Sequence, residues 1–207
     1  MRKRVVITGM GAVTPLGNHV DSFWKNTREG KSGVDTVTRF PTEGFDTRIA
    51  AELKDFDPQD YMEKKEAKRM DRFTQYAMAA SQMAIRESGL DPEKTDRQRF
   101  GVVLGTGVGG LETLENQENI LQNKGPGRVS PFFVPMMISN MAADQIAIAC
   151  GAKGLNSTVV TACASATNAI GEAYRAIRHG YADVLITGGA EAPLPPLSLA
   201  GFCSMKA

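Results

Sequence analysis

One cysteine stands where a protein thiol can become a nucleophile. Cys163 follows a β-branched run, residues 157–161, that predicts a strand. After it, apolar residues recur at helical spacing until Gly180 ends the pattern. The thiol is therefore predicted at a strand-to-helix junction. Unpaired backbone N–H groups and the positive end of a helix dipole lie at such a junction, and both lower the pKa of a thiol.

The chemistry that suits this position is acyl transfer. A thiolate can attack a carbonyl carbon, and the N–H groups beside it can stabilise the oxyanion that forms. Position alone leaves a second interpretation open, in which Cys163 is a buried and inert cysteine packed under the helix. A third interpretation is a redox-sensing thiol, although the sequence places no obvious resolving cysteine near it.

Composition narrows the class of protein. The 207 residues are 42% hydrophobic and 23% charged, with a net charge of +1, so no strong global field recruits nucleic acid. No apolar run approaches the length of a membrane span. The three cysteines are an odd number without metal-ligand spacing, which favours a reducing cytoplasm and no metal site.

Strand and helix patterns alternate along the chain. This alternation predicts an α/β domain whose mainly parallel sheet is covered by helices on both faces. The basic N-terminus leads into a short apolar run and Gly9, which indicates a first strand rather than a signal peptide. Strands are predicted over residues 4–8, 49–53, 100–104, 157–161 and 183–187, and helices over 21–27, 64–77 with a pattern continuing to Gly89, 111–123, 135–149 and 166–179.

A glycine-rich loop at residues 105–110 has the dinucleotide pattern G-x-G-x-x-G between a strand and a helix. The next candidate strand region, residues 130–135, is bracketed by prolines and lacks the acidic residue that binds a ribose. The alternative is a glycine turn that lets substrate pass close to the backbone near the thiol. An earlier pair, Gly9 and Gly11, fails the pattern because Thr14 occupies the third glycine position.

Basic residues cluster between residues 63 and 72. At helical spacing Lys65, Lys68, Arg69 and Arg72 share one face. Acidic residues are interleaved with them, so a solvated helix surface is one interpretation. A docking face for an acidic partner is the other.

The segment TACASATNAIGEA, residues 161–173, resembles the active-site signature of the β-ketoacyl-acyl-carrier-protein synthases of the thiolase superfamily, and best the elongating type II enzymes. Further similar motifs occur in family order and cover nearly the whole chain. They are KRVVITGMGAVTPLG (3–17), KKEAKRMDRFTQYA (64–77), GTGVGG (105–110), RVSPFFVPMMI (128–138) and ITGGAEAP (186–193).

The resemblance implies a thiolase-like fold. Its members stack two halves as α-β-α-β-α layers, each half built on a mainly parallel five-stranded sheet. Residues 1–207 resemble the N-terminal half, which carries the nucleophilic cysteine, and we expect the C-terminal half to be absent from this chain. The resemblance also implies a homodimer in the cytoplasm.

The reaction implied is a decarboxylative Claisen condensation of fatty-acid elongation. Cys163 would take an acyl group from the phosphopantetheine of acyl carrier protein, so the enzyme needs no cofactor of its own. A malonyl-carrier would then lose CO₂ and attack the acyl group. The family uses two histidines of its second half here, and His19 and His179 match neither. Activity of this chain alone is therefore doubtful, and a non-catalytic dimerising or carrier-binding half-domain is the alternative.

The resemblance also assigns roles to particular residues. Val108, Phe133, Ala162 and Phe202 match positions that line the acyl pocket. Among them Val108 would act as a gate, and Phe133 would lie in the dimer interface near the partner's pocket. Carrier-protein docking would fall to basic residues, namely Lys65, Lys68, Arg69, Arg128 and Lys206.

Overall fold

Three parallel strands form the centre of the computed structural model, which describes residues 4–206. The strands in chain order are β1 (Asp35–Thr36), β2 (Ile49–Ala50), β3 (Phe100–Gly105), β4 (Asn156–Val159) and β5 (Val184–Gly189). The helices are α1 (Val20–Arg28), α2 (Lys64–Ala67), α3 (Arg72–Ser88), α4 (Leu111–Lys124), α5 (Phe133–Met137), α6 (Met141–Cys150), α7 (Ser165–Arg178) and α8 (Pro196–Met205).

The central sheet has the order β4-β3-β5, with β3 paired in parallel to both neighbours. Val102 of β3 lies opposite Asn156 on one side and Ile186 on the other. All of β3 is buried, as expected for the middle strand of a parallel sheet covered on both faces. A separate antiparallel pair joins β1 to β2.

Helices cover the two faces of this sheet. Alternate residues of β3 point to opposite faces, so Phe100 and Val103 belong to different parts of the core. Phe100 packs with α3 and α6, whereas Val103 packs with Ala169 and Ala173 of α7. The predicted α/β class, with a parallel sheet between two helical layers, is confirmed.

The expected number of strands is wrong for the described residues, where the parallel sheet has three strands rather than five. Residues 4–8 form no strand, because no strand within residues 4–206 pairs with them. Ile7 is 81% exposed. The backbone that follows packs on α3, where a Cβ at Gly9 would lie 2.2 Å from the carbonyl oxygen of Ala84.

The helix predicted over residues 64–77 is interrupted. Helix α2 ends at Ala67 and α3 begins at Arg72, so the basic residues do not share the continuous helical face that was predicted. The side chain of Asp71 caps α3 by accepting from the N–H of Phe73 at 3.3 Å. It also accepts from the N–H and hydroxyl of Thr113 at 2.9 and 2.6 Å, which ties the break to α4.

Two further predictions are wrong, and one helix was not predicted. The helix predicted over residues 135–149 is divided into α5 and α6, and α8 was not predicted. In the helix predicted over residues 21–27, the apolar spacing places Trp24 on the inward face, but its side chain on α1 is 58% exposed. The end of α3 is as predicted, because Gly89 adopts a left-handed φ of 66° after its last turn.

In the described part of the chain, no helix is both long enough and apolar enough to span a bilayer.

Candidate active site

Cys163 lies in a single 3-10 turn, Ala162–Ala164, between the end of β4 and the start of α7. The predicted strand-to-helix junction is therefore confirmed. The cysteine is exposed and in the free thiol form. The alternative of a cysteine buried under the helix is wrong, since the residue is exposed to solvent.

Side chains of α7 brace this turn. The hydroxyl of Ser165 accepts from the N–H of Thr161 at 2.8 Å and donates to the carbonyl of Ala162 at 2.6 Å. The side-chain amide of Asn168 donates to the hydroxyl of Thr161 at 2.9 Å. Ala162 has a φ of +51°, a left-handed conformation that non-glycine residues adopt rarely and at some cost. The residue before the thiol is thus held in a sharply turned backbone.

The backbone N–H of Cys163 is a candidate donor to an oxyanion. Within residues 4–206 it donates to no acceptor, whereas the N–H groups of Ala164 and Ser165 bond to Thr161 and Ala162. A free N–H beside a nucleophilic sulfur can bind the oxygen of a carbonyl that the sulfur attacks.

Two glycines allow α7 to sit directly on the ends of the strands. A Cβ at Gly105, the last residue of β3, would lie 2.3 Å from the backbone carbon of Ser165. A Cβ at Gly189, the last residue of β5, would lie 2.5 Å from the Cβ of Ala166. The positive end of α7, with the thiol before it, therefore stands over the carboxyl ends of β3 and β5.

Replacing Gly105 by alanine is expected to lower the free energy of unfolding by about 3 kcal/mol, because the new methyl group meets helix backbone that cannot rotate away. Gly171→Ala is the matched control within α7. Nothing lies within 4 Å of a Cβ at that position. Its helix-interior alanine should raise stability by up to about 1 kcal/mol. Urea denaturation of both variants measures the difference, and equal stabilities would contradict this account of the packing.

The glycine-rich loop after β3 is organised around one carboxylate. Glu191 accepts from the N–H groups of Gly107 at 2.5 Å, Val108 at 2.9 Å and Gly109 at 3.3 Å. The hydroxyl of Thr106 lies 3.2 Å from the same carboxylate. Converging N–H groups of this kind are the feature that binds phosphate in nucleotide-binding loops. Since a side chain of the chain already fills the position, the loop offers no free cradle to a dinucleotide.

Glu191 was not among the predicted site residues. A signal for it does exist, because this acidic residue comes just after the two glycines that end β5. Neighbouring parallel strands finish at the same edge of a sheet, so an acid after β5 lies close to a loop after β3.

An apolar cleft of about 260 Å³ borders the other side of this loop. The loop also adjoins the cysteine turn, because a Cβ at Gly107 would lie 3.6 Å from the carbonyl oxygen of Ala162. The loop therefore separates the thiol from the cleft. The cleft is lined by Val108, Gly110, Leu111, Leu114, Met137, Ile138 and Ser139.

The four predicted pocket residues are only partly brought together. Val108 lines the cleft, and Ala162 lies beside the same loop through its contact with Gly107. Phe133, at the start of α5, is half-buried, and Phe202, on α8, is 48% exposed. Neither phenylalanine is among the residues that line this cleft.

The predicted docking residues are all exposed, but they lie on three segments. The guanidinium of Arg69 stacks over the ring of Phe132 at 4.4 Å, which brings the segment after α2 next to the segment that follows Arg128. In the described residues no hydrogen bond or ion pair joins the side chain of Lys206 to either segment. Arg72 of the predicted basic face is paired with Glu112 at 3.0 Å. Lys65 and Lys68 are the two remaining residues predicted for docking, and both are exposed.

The three layers, the glycine-bordered strand ends and the exposed thiol before α7 define an α/β domain of the thiolase-like class. Residues 2–207 match the family described as β-ketoacyl synthase, N-terminal domain. The chain belongs to this family.

Known relatives cover the chain almost completely. It is 51% identical over 205 residues to 3-oxoacyl-[acyl-carrier-protein] synthase 2 of Staphylococcus aureus (strain COL), covering 99% of this chain and 50% of that protein. A solved ishigamide ketosynthase/chain length factor is 30% identical with a TM-score of 0.89, covering 100% of this chain and 52% of that one. A ketosynthase complex is a more distant solved structure.

That complex is a type II polyketide synthase acyl-carrier protein with its ketosynthase bound to a hexaketide. It matches with 27% identity and a TM-score of 0.85, over 99% of this chain and 55% of that one. The chain thus spans about half the length of the curated relatives it matches.

Proposed function

We propose that this chain is the nucleophile-bearing half of a condensing enzyme that elongates acyl groups on acyl carrier protein. The observation that carries the proposal is the exposed Cys163 thiol in a braced turn before α7, with a free N–H beside it and an apolar cleft across one loop. The close similarity to a 3-oxoacyl-carrier-protein synthase supports the substrate class.

In the first half-reaction the sulfur of Cys163 attacks the carbonyl carbon of an acyl thioester on phosphopantetheine. The new C–S bond forms first, and the old C–S bond then breaks, so that the carrier thiol leaves with the proton that Cys163 gave up. The carbonyl oxygen carries negative charge in between, and the N–H of Cys163 is placed to stabilise it. Phosphopantetheine arrives on the carrier, and the chain needs no other cofactor.

The acyl chain would enter the apolar cleft, where burial of its methylene groups is favourable. Val108, which is 52% exposed at the cleft, would stand at its entrance. Phe133 and Phe202 would complete the pocket only in the whole protein, Phe133 across a homodimer interface and Phe202 beside the second half.

In the second half-reaction a malonyl-carrier loses CO₂. Its carbanion attacks the acyl carbonyl on Cys163, and the released thiolate regenerates the nucleophile. This step needs donors that stabilise an enolate, which in the family come from two histidines of the second half. Condensation is therefore proposed for a longer protein that contains this segment.

Two surfaces fit the proposed partners. The exposed basic residues Lys65 and Lys68, with Arg69, Arg128 and Lys206, would meet the acidic carrier protein. Ile170 and Tyr174 on the outer face of α7 are 49% and 43% exposed, and the second half and the homodimer partner would cover such apolar area. The cysteines are free thiols, which supports a reducing cytoplasm.

A non-catalytic half-domain that only dimerises or binds carrier protein is the second candidate. It is favoured by the positions of the histidines, since His19 precedes α1 and His179 follows the far end of α7 from the thiol.

Acylation of the thiol separates the two candidates. The chain is incubated with a medium-chain acyl carrier protein and digested, and the cysteine peptides are measured by mass spectrometry. We expect one acyl group on the Cys163 peptide, released by hydroxylamine as a thioester must be, while the Cys150 and Cys203 peptides stay unmodified. An unmodified Cys163 beside intact acyl-carrier would instead support the half-domain.

A further inference from the structure

The loop between the thiol and the cleft is fixed from two directions. The carboxylate of Glu191 holds its N–H groups, including that of Val108. On the other side, the hydroxyl of Ser139 donates to the carbonyl oxygen of Val108 at 3.2 Å. Both backbone groups of Val108 are therefore anchored, which sets where its side chain stands at the cleft.

The two oxygens of Glu191 divide the loop between them. One accepts from the N–H groups of Gly107 and Val108, and the other from the N–H of Gly109 and the hydroxyl of Thr106. A glutamine of the same shape has one acceptor oxygen and one NH₂ donor. In either orientation its NH₂ would face an N–H group of the loop, so part of the loop would lose its anchor.

Glu191 packs directly against the loop that it anchors. A Cβ at Gly107 would lie 2.9 Å from the carboxylate of Glu191, so loop backbone and carboxylate are in direct contact. The same Cβ would lie 3.6 Å from the carbonyl oxygen of Ala162, so the cysteine turn adjoins the loop at the residue that Glu191 holds. A shift of Glu191 would therefore move the backbone of the glycine-rich loop at Gly107, which lies in space between Cys163 and Val108.

We propose that Glu191 is a positioning residue that fixes Val108 at the cleft entrance and so determines which acyl chain lengths reach Cys163. The acyl substrate rests on the function proposed above. The positioning of the loop does not, since any reagent that carries an alkyl chain to the thiol reports it.

The test uses alkyl methanethiosulfonates with methyl and decyl tails on the 207-residue chain. The sulfur of Cys163 attacks the S–S bond, a mixed disulfide forms, and methanesulfinate leaves with the electron pair. The methyl reagent reports the reactivity of the thiol itself, so the ratio of methyl to decyl rates isolates access for a long chain. Mass spectrometry of the Cys163 peptide gives both rates.

In Glu191→Gln and Glu191→Ala the ratio of the methyl rate to the decyl rate is expected to fall toward one by about tenfold. A tenfold change corresponds to about 1.4 kcal/mol, the scale of one hydrogen bond to a charged group. Formate should partly restore the wild-type ratio in Glu191→Ala, because a small carboxylate can refill the converging N–H groups. An unchanged ratio in both variants would overturn the proposal.

Glu52→Gln is the matched control. Glu52 is buried and, like Glu191, accepts from backbone N–H groups and a threonine hydroxyl, namely those of Thr38 and Arg39 and the Thr38 hydroxyl, away from the cysteine turn. It should alter thermal stability and leave the rate ratio unchanged. If Glu52→Gln shifted the ratio equally, the effect of the Glu191 variants would be a general loss of structure, and the proposal would be overturned.

A parallel series with acetyl- and decanoyl-carrier protein separates the two proposals. If no variant, including the wild type, becomes acylated, the proposed function fails while the thiosulfonate ratio still decides the role of Glu191. If acylation occurs and its chain-length preference is the same in Glu191→Gln as in the wild type, the positioning role fails and the proposed function stands.

Discussion

Replacing Cys163 by alanine is expected to reduce acylation by acyl carrier protein by at least about 10³-fold, to below detection, because removal of a nucleophile removes the covalent pathway itself. Cys163→Ser should lose nearly as much, since a hydroxyl is far less ionised than a thiol at neutral pH. The rate is measured from the disappearance of acyl-carrier and from the mass of the protein.

The other cysteines provide the controls for this prediction. Cys150 is buried in α6, and its burial raises the pKa of its thiol, so its thiolate is scarce near neutral pH. Cys203 is half-buried on α8. Cys150→Ala and Cys203→Ala should therefore keep the wild-type rate. Acylation of Cys163→Ala at an undiminished rate would show that the acyl group is carried elsewhere.

The placement of Cys163 could be predicted because it depends on local pattern. A β-branched run, small residues and a helical period over residues 157–179 define a strand, a turn and a helix without reference to the rest of the chain. The left-handed φ of Ala162 could not be predicted, because it depends on a hydrogen bond that Ser165 donates to Ala162 and on the packing of Ser165 against Gly105.

Errors arose where distant contacts override a continuous pattern. The periodicity over residues 64–77 predicted one helix, but Asp71 bonds to Thr113, 42 positions away, and begins a new helix there. The apolar run at residues 4–8 has the composition of a strand but lacks a partner strand within the described residues. A strand needs a neighbour for its hydrogen bonds, and composition alone does not supply one.

The role of Glu191 shows the same dependence on tertiary structure. Its carboxylate meets the N–H of Gly107, 84 positions earlier. That contact exists only because β5 pairs in parallel with β3 and both end at the same edge. The glycine pattern at residues 105–110 therefore suggested a nucleotide loop, whereas its N–H groups bind a side chain of the chain itself.

Condensation is expected to require more than these 207 residues. With acyl-carrier and malonyl-carrier together, the chain should become acylated on Cys163 and yet give no detectable 3-oxoacyl product. The enolate that forms as CO₂ leaves needs hydrogen-bond donors near the sulfur. His179 follows the last residue of α7, a 14-residue helix, and so lies roughly 21 Å from its first turn at a rise of about 1.5 Å per residue. His19 is the exposed residue before α1.

Joining the chain to the second half of the Staphylococcus aureus relative should supply those donors and produce 3-oxoacyl-carrier, which mass spectrometry of the carrier protein detects. The joined protein with its second-half histidines replaced is the control, and it should accumulate acylated Cys163 without product. Product from the 207 residues alone would mean that this half already holds a donor set for the enolate. The exposed thiol and the adjoining cleft would then be a complete condensing site rather than the acyl-holding part of one.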